Sequence, residues 1–173
     1  MHNKKHLASW RGVFYLQWYT TSTMKIIMYS DGGSRGNPGP AGAGVYIEDG
    51  EGKVVKKIAK FLGKRTNNWA EYEAVVLGLE ALKRQFGEKL RSMDIELRMD
   101  SELIVRQLNG IYRVKNPDLR EKYMKIQKMR AEDFLLLKIK HIRREKNKEA
   151  DALANEAMDA GESLRHIDMH DKS

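Results

Sequence analysis

The sequence predicts an α/β fold in which helices pack on one mixed β-sheet. Three observations carry this prediction: three short strands open the chain, a helical period follows, and the last part alternates strand and helix. The predicted element order is βββαβααβα. Strands joined in a meander lie antiparallel, whereas strands separated by a helix need a crossover connection and lie parallel.

The first three strands form the predicted meander. The apolar run at residues 25–30 stops at Asp31 and two glycines, which is typical of a buried strand that ends in a turn. The second strand covers residues 43–48. The turn sequence at residues 49–52 then joins it to a third strand over residues 54–62.

A long helix is predicted over residues 68–85, where apolar residues recur three or four positions apart. Residues 95–99 form the fourth predicted strand. Ser101 is a suitable N-cap for a short helix over residues 101–108, which an Asn-Gly pair would end.

The remaining elements are a helix, a strand and a helix. The helix begins at Pro117 and carries its basic residues largely away from its apolar face. The strand is predicted over residues 134–142. Asn147 is then expected to cap a final helix that ends near Ala160.

Composition limits both the class of protein and its partners. The chain has 173 residues, 41% of them apolar and 32% charged, which suits one globular domain and excludes a disordered polymer. It contains no cysteine, which excludes disulfides, thiol nucleophiles and cysteine-ligated zinc. The net charge of +8 favours a polyanionic partner, nucleic acid first.

The domain is expected to cover residues 24–160. Residues 1–23 are interpreted as a poorly ordered N-terminal extension and residues 161–173 as a C-terminal tail. The sequence contains no run of about 18 apolar residues, so it predicts no membrane-spanning helix. We expect a cytoplasmic monomer.

Four acidic residues lie where a predicted strand ends or a predicted helix begins: Asp31, Glu71, Asp100 and Asp151. If the first and fourth strands are parallel neighbours, Asp31 and Asp100 emerge at the same edge of the sheet. Clustered carboxylates repel one another, and divalent cations relieve that repulsion. Oxygen ligands without histidine or cysteine suit Mg²⁺ or Mn²⁺. Each residue, taken singly, also has an ordinary explanation as a turn or helix-end residue.

Four segments resemble, in order, the motifs of type 1 ribonuclease H, and the match covers roughly residues 24–160. The segments are Tyr29-Ser30-Asp31-Gly32-Gly33-Ser34-Arg35-Gly36-Asn37-Pro38-Gly39, Thr66-Asn67-Asn68-Trp69-Ala70-Glu71-Tyr72, Met99-Asp100-Ser101-Glu102-Leu103 and Asn147-Lys148-Glu149-Ala150-Asp151-Ala152-Leu153-Ala154. The resemblance implies the ribonuclease H-like fold, a five-stranded mixed sheet in the order 3-2-1-4-5 flanked by helices.

The resemblance also implies an activity: cleavage of the RNA strand of RNA–DNA hybrids with two Mg²⁺ ions, or Mn²⁺ as a substitute. The products would carry 5′-phosphate and 3′-hydroxyl ends. Asp31 would bridge both ions, Glu71 and Asp100 would hold the ion on the leaving-group side, and Asp151 would hold the other. Glu71 is also expected to reach a ribose 2′-hydroxyl, the group that distinguishes RNA from DNA.

The same motifs imply a set of substrate contacts: Gly32, Gly36, Asn37, Thr66, Asn67, Asn68 and Glu102. The glycines and Asn37 would let the main chain approach the minor groove. Thr66 is assigned to a DNA phosphate. Of the two asparagines, Asn67 is expected to contact substrate and Asn68 to cap the long helix. Glu102 stands where many relatives carry glutamine.

The chain departs from the bacterial pattern at two places and resembles archaeal-type members instead. The connection over residues 109–116 is too short for a basic insertion, and the loop Arg143-Arg144-Glu145-Lys146 lacks the family's histidine. Arg143 and Arg144 are therefore candidate auxiliary residues, while His141 is interpreted as a strand-surface residue. Such relatives also make double-stranded RNA a candidate substrate.

Other functions stay open beside the hybrid nuclease. The main alternative is a non-catalytic nucleic-acid-binding module on the same fold, which the presence of all four carboxylates disfavours. A resolvase or transposase-type nuclease, and the nuclease domain of a reverse transcriptase, are the others. The Thr-Asn-Asn-x-x-Glu and Gly-Asn-Pro-Gly arrangements argue against the resolvases and transposases.

Overall fold

A computed structural model describes the backbone of residues 24–170 and the side chains of residues 24–163. The described elements are β1 (Lys25–Ser34), β2 (Gly39–Asp49), β3 (Val54–Arg65), α1 (Asn67–Phe86), β4 (Asp94–Met99), α2 (Glu102–Leu108), α3 (Pro117–Glu132), β5 (Lys138–His141) and α4 (Lys148–His170). Short 3₁₀ helices at Gly87–Ser92 and Arg144–Lys146 lie between them. The order of strands and helices is as predicted. The interpretation of residues 1–23 as an extension concerns residues outside those described.

The strands form one five-stranded sheet in the order β3-β2-β1-β4-β5. The β1–β2 and β2–β3 pairs are antiparallel, and the β1–β4 and β4–β5 pairs are parallel. Both the mixed sheet expected from the element order and the strand order implied by the resemblance are confirmed.

Helices cover the two faces of the sheet. Met28 and Val45 lie against Gly78 of α1, whereas the adjacent Gly44 lies against Ala150 of α4. Because successive strand residues point to opposite faces, α1 and α4 pack on opposite sides. The fully buried side chains Met28 and Leu97 belong to the core on the α1 side. None of the helices within residues 24–170 is long and apolar enough to cross a membrane.

The first strand continues past its predicted end. Pairing of β1 with β4 stops at Tyr29 opposite Arg98, but pairing with β2 continues from Asp31 opposite Gly44 to Ser34 opposite Ala41. The glycines of the turn signal are therefore strand residues, and Asp31 lies inside β1. The parallel pairing with β4 ends two residues before Asp31, so at Asp31 the first strand pairs with β2 alone.

The fifth strand is shorter than predicted. It covers Lys138–His141 alone, because Phe134 and Leu137 form a turn in which the Leu137 amide donates to the Phe134 carbonyl at 3.1 Å. Both turn side chains are buried in the core, whereas Leu135 and Leu136 are exposed. Residues 134–137 are as apolar as a buried strand although they form a turn, which is why the strand was predicted to begin at residue 134.

The last helix extends to His170, ten residues beyond the predicted end at Ala160. Gly161 is a packing position rather than a helix terminus. A Cβ atom there would lie 2.2 Å from the ring of Phe61 on β3, so glycine permits the aromatic ring to rest against the helix. The predicted tail therefore begins as a continuation of α4.

Candidate active site

The four predicted carboxylates line one open cavity of about 310 Å³. Asp31 lies on β1 two residues past the end of its pairing with β4, and Asp100 directly follows β4. Glu71 is the fifth residue of α1 rather than a first-turn residue, and Asp151 lies in the first turn of α4. Four separate elements thus bring their acidic residues to one place at the edge of the sheet.

Gly32 lets α1 approach β1 closely enough to deliver Glu71. A Cβ atom at Gly32 would lie 2.2 Å from both the Ala70 carbonyl carbon and the Glu71 nitrogen. The Glu71 side chain is buried, and its Oε2 accepts a hydrogen bond of 3.0 Å from the Ser101 hydroxyl. Ser101 occupies the predicted N-cap position of α2, but its side chain makes no capping bond and orients Glu71 instead.

Asn147 joins the elements that carry the three aspartates. Its side chain is fully buried, and its Nδ2 donates to the Ser30 carbonyl and to Asp100 Oδ1, both at 3.1 Å. Its carbonyl accepts from the Asp151 amide at 3.0 Å. Asn147 directly precedes α4 as predicted, but its side chain does not cap the helix. The Asn147 Oδ1 atom has no hydrogen-bond partner among the described residues.

Asp151 is held by two neighbouring side chains. Arg144 Nη2 donates to Asp151 Oδ1 at 2.9 Å, and Asn155 Nδ2 donates to Oδ2 at 3.2 Å. The Arg144 side chain is largely exposed, so this ion pair is exchangeable with solvent ions. Arg144 is the counterion of Asp151 in this structure.

Burial and mutual repulsion raise the pKa values of two of the four carboxyls, Asp31 and Glu71. Burial, together with the charges of Asp100 and Asp151, raises the pKa of Asp31 to about 6. Burial, with smaller contributions from Asp31 and Asp100, raises the pKa of Glu71 to about 7 despite the hydrogen bond from Ser101. The cavity therefore concentrates negative charge that the protein itself only partly neutralises.

These shifts predict that the metal-free protein loses stability as the pH rises from about 4 to 7. In that range the folded state binds more protons than the unfolded state, because the pKa values of Asp31 and Glu71 are raised above their ordinary values. We expect the free energy of unfolding in urea with EDTA to fall by on the order of 2 kcal/mol. Added Mg²⁺ should restore it at pH 7.5. A flat profile, or one that rises with pH in this range, would contradict the charge arrangement.

The donor set fits hard divalent cations. All four candidate ligands are carboxylates, and no histidine or cysteine lines the cavity among the described residues. As the side chains stand, no three His, Cys, Asp or Glu residues within the described part of the chain are placed to hold one ion together. Binding would therefore require the carboxylates to rotate and Asp151 to exchange Arg144 for an ion. Repulsion between neighbouring carboxylates contributes to the raised pKa values of Asp31 and Glu71, and bound cations would relieve that repulsion.

The structure brings some of the predicted substrate contacts to the cavity and leaves others outside it. Gly32, Asn67 and Arg144 line the cavity. Outside its lining are Gly36, Asn37, Thr66, Asn68, Glu102 and Arg143. Asn37 Oδ1 nevertheless accepts from the Asn67 amide at 3.1 Å, which ties the Gly-Asn-Pro-Gly turn to the start of α1.

The assignment of Asn68 as a helix cap is wrong. Thr66 is the N-cap of α1, and its hydroxyl accepts from the Trp69 amide at 3.4 Å. The helix begins at Asn67, so Asn68 already lies within its first turn. Glu102 forms an ion pair of 2.7 Å with Arg106 four residues later on α2.

The cavity lining also includes residues for which the sequence predicted no contact with metal or substrate. These are Ser101, which was interpreted as a helix cap, and Asn155, Arg35 and Met158. Of these residues, only Asn155 was predictable from the sequence, because it follows Asp151 by one helical turn and therefore lies beside it on the helix. His141 lies exposed at the end of β5, with Nε2 3.2 Å from the Asp100 carbonyl oxygen, and outside the cavity lining.

Comparisons with known proteins agree with this fold. A family model described as reverse transcriptase-like matches residues 29–157. The crystal structure of LC11-RNase H1, isolated from compost by a metagenomic approach, superposes with a TM-score of 0.76 at 53% identity. That alignment covers 79% of this chain and 97% of LC11-RNase H1. The same protein has also been solved in complex with an RNA/DNA hybrid, with a TM-score of 0.75.

Two curated relatives are longer than the matched region. Ribonuclease HI of Halobacterium salinarum is 43% identical over 135 residues, which cover 78% of this chain and 65% of that protein. Bifunctional protein Rv2228c of Mycobacterium tuberculosis is 40% identical over 138 residues, which cover 79% of this chain and 36% of that protein. The chain thus spans less than two thirds of either relative.

Proposed function

Because the chain belongs to the type 1 ribonuclease H family, we propose that it is an endonuclease that hydrolyses the RNA strand of RNA–DNA hybrids. The relative LC11-RNase H1 was solved with such a hybrid. The activity, the 5′-phosphate and 3′-hydroxyl products and a domain that begins at residue 24 and continues along α4 past residue 160 are proposals for this chain. A monomeric state and a cytoplasmic location stay predictions from the sequence.

The observation that supports this activity best is the convergence of Asp31, Glu71, Asp100 and Asp151 on one cavity. Two of these carboxyls have raised pKa values, as expected of acidic residues grouped around a site for cations. A binding module would gain nothing from four acids at a surface that meets a polyanion, because they repel its phosphates. This charge arrangement favours catalysis over the non-catalytic alternative.

The four carboxylates are proposed to hold two divalent cations, Mg²⁺ or in its place Mn²⁺. Bound there, such ions activate water and stabilise the leaving 3′-oxygen. Asp31 lies centrally, since the charges of both Asp100 and Asp151 act on it, which suits the role of a shared ligand. Ser101 and Asn147 hold Glu71 and Asp100 in orientation. The exposed Arg144 would leave Asp151 and turn toward a substrate phosphate.

Recognition of RNA is proposed to involve the rim beside Glu71. Asn67 lines the cavity four residues before Glu71, and Asn37 fixes the Asn67 amide. A hydroxyl or base edge of the RNA strand presented there would meet amide groups and the Glu71 carboxylate together. The remaining predicted contacts, among them Thr66 and Gly36, would meet the hybrid outside the cavity.

The test is a cleavage assay with one labelled RNA strand. It is presented as an RNA–DNA hybrid, as single-stranded RNA and as double-stranded RNA, each with Mg²⁺, Mn²⁺ or EDTA. We expect cleavage of the hybrid that depends on the metal, and product ends that a ligase requiring a 5′-phosphate accepts. The double-stranded lane decides whether that second substrate, proposed from the resemblance, is used.

Folded protein that binds the hybrid without cutting it in any metal would overturn the proposal in favour of a binding module. Asp31→Asn should lose this cleavage, and Asp94→Asn is its matched control for loss of an acid. Asp94 begins β4 at the end opposite Asp100 and pairs with Lys138 at 2.7 Å. The Asp94→Asn variant should cleave like the parent.

A further inference from the structure

A second groove lies between the α2–α3 connection and α3, away from the carboxylate cavity. It has a volume of about 560 Å³, and its lining includes Tyr112, Arg113, Lys115, Arg120 and Met124. It shares no lining residue with the carboxylate cavity.

The charged residues of this groove are all cationic and have no acidic partner. Arg113, Lys115 and Arg120 are exposed, and within residues 24–163 none of them forms an ion pair. The neighbouring lysines of α3 behave differently, because Lys125 pairs with Glu80 and Lys128 with Glu132. No acidic residue lines the groove. Three like charges grouped without counterions do not stabilise the fold, so they fit an anion supplied from outside.

The groove also exposes aromatic and apolar surface beside these charges. Tyr112 is 47% exposed and Met124 is 59% exposed. The Arg106 guanidinium, which also pairs with Glu102, lies 5.2 Å from the centre of the Tyr112 ring and supports the ring in its position. Bases in a duplex stack on one another and hide their faces, whereas unpaired bases offer them to aromatic side chains. The mixture of cations and an exposed ring therefore suits a single strand better than a duplex.

The short helix α2 connects the groove to the carboxylate cavity. It begins directly after Ser101, which lines the cavity, and ends at Leu108, two residues before Gly110 at the groove. Seven helical residues span about 10 Å. A strand that leaves the cavity along α2 would therefore reach the groove within roughly three nucleotides at about 3.4 Å each.

We propose that this groove binds unpaired nucleotides that flank the hybrid, with the phosphates at Arg113, Lys115 and Arg120 and a base against Tyr112 and Met124. The inference deepens the proposed function, since the strand belongs to the proposed substrate. The protein would then grip hybrids with single-stranded extensions more tightly than blunt hybrids.

The test compares binding of a blunt hybrid with binding of the same hybrid carrying an oligo-dT tail of about six nucleotides. Fluorescence anisotropy in EDTA separates binding from cleavage. We expect the tail to tighten binding by the parent about tenfold, the gain from stacking of one base. Arg113→Gln/Arg120→Gln and, separately, Tyr112→Ala should lose most of this gain and keep the affinity for the blunt hybrid.

Lys125→Gln/Lys128→Gln is the matched control, because it removes the same net charge from paired lysines on α3. It should keep the tail-dependent gain. No gain from the tail in the parent, or an equal loss on blunt and tailed hybrids in the groove variants, would overturn the proposal. If polyglutamate displaces the tailed hybrid from the protein as readily as oligo-dT does, the proposal is also overturned, and the groove would be a site for acidic peptides. If no hybrid binds at all, the proposed function fails and free oligo-dT alone tests the groove.

Discussion

Replacing Asp31 with Asn is expected to abolish hybrid cleavage and, at the same time, to stabilise the metal-free protein at pH 7.5. The asparagine side chain keeps an oxygen that accepts the Gly32 amide, now bonded to Asp31 Oδ1 at 2.9 Å. It removes the negative charge that Asp100 and Asp151 repel. Loss of a carboxylate central to the proposed cation site should lower kcat by at least about 10³-fold.

The stabilisation follows from the raised pKa of Asp31. A rise from 3.8 to about 6 corresponds to about 3 kcal/mol for an isolated group, which solvent screening reduces to roughly 1–2 kcal/mol. We therefore expect a Tm in EDTA about 2–6 °C above that of the parent. Mg²⁺ should raise the Tm of the parent and have little effect on the variant.

Asp94→Asn distinguishes this effect from general removal of an acid. Because Asp94 pairs with Lys138, its replacement should leave cleavage intact and give no increase in Tm. If the Asp31→Asn protein still cleaves the hybrid, or melts at a lower temperature than the parent in EDTA, the assignment of Asp31 as the central carboxylate of the site is wrong. The two readouts are independent, since the first needs metal and the second excludes it.

The sequence was sufficient for the topology because each strand or crossover left a local signal. Three strands in a meander followed by strands separated by helices dictate a mixed sheet. The errors arose where tertiary contacts override local pattern. The turn at Phe134 buries apolar side chains as a strand would. The glycine at position 161 does not end a helix, because it makes room for the Phe61 ring against α4.

The carboxylates of the candidate site were predictable, but the residues that orient them were not. Aspartates at strand ends and helix starts are visible in the sequence, and the four motifs assigned them together. Ser101 and Asn147 were interpreted as helix caps, since serine and asparagine at helix starts have that role most often. Their side chains instead bond to Glu71 and Asp100, which are distant in the chain. Partners 30 and 47 residues apart leave no local pattern.

Replacing Asn147 with Ala is expected to lower kcat about 10–100-fold while leaving KM for the hybrid nearly unchanged. Asn147 does not itself line the cavity but hydrogen-bonds Asp100, which does, so it acts by positioning Asp100. Without the Nδ2 donor, the Asp100 carboxylate can rotate away from the other ligands. Losses of this size are typical when the partner of a metal-ligating side chain is removed. Mg²⁺ binding, measured by calorimetry without substrate, should weaken in parallel.

Asn109→Ala separates positioning by Asn147 from its contribution to the fold. Asn109 also donates its Nδ2 to a backbone carbonyl, that of Ile139 at 3.2 Å, but contacts no carboxylate of the cavity. Both variants lose a buried or partly buried hydrogen bond and should lose about 1–3 kcal/mol of stability. Only Asn147→Ala should also lose turnover and Mg²⁺ affinity, because only its amide bonds to Asp100. Equal kinetic losses in the two variants would show that Asn147 contributes only to the stability of the fold. Full activity of Asn147→Ala would show that Asp100 keeps its orientation without the hydrogen bond from Asn147.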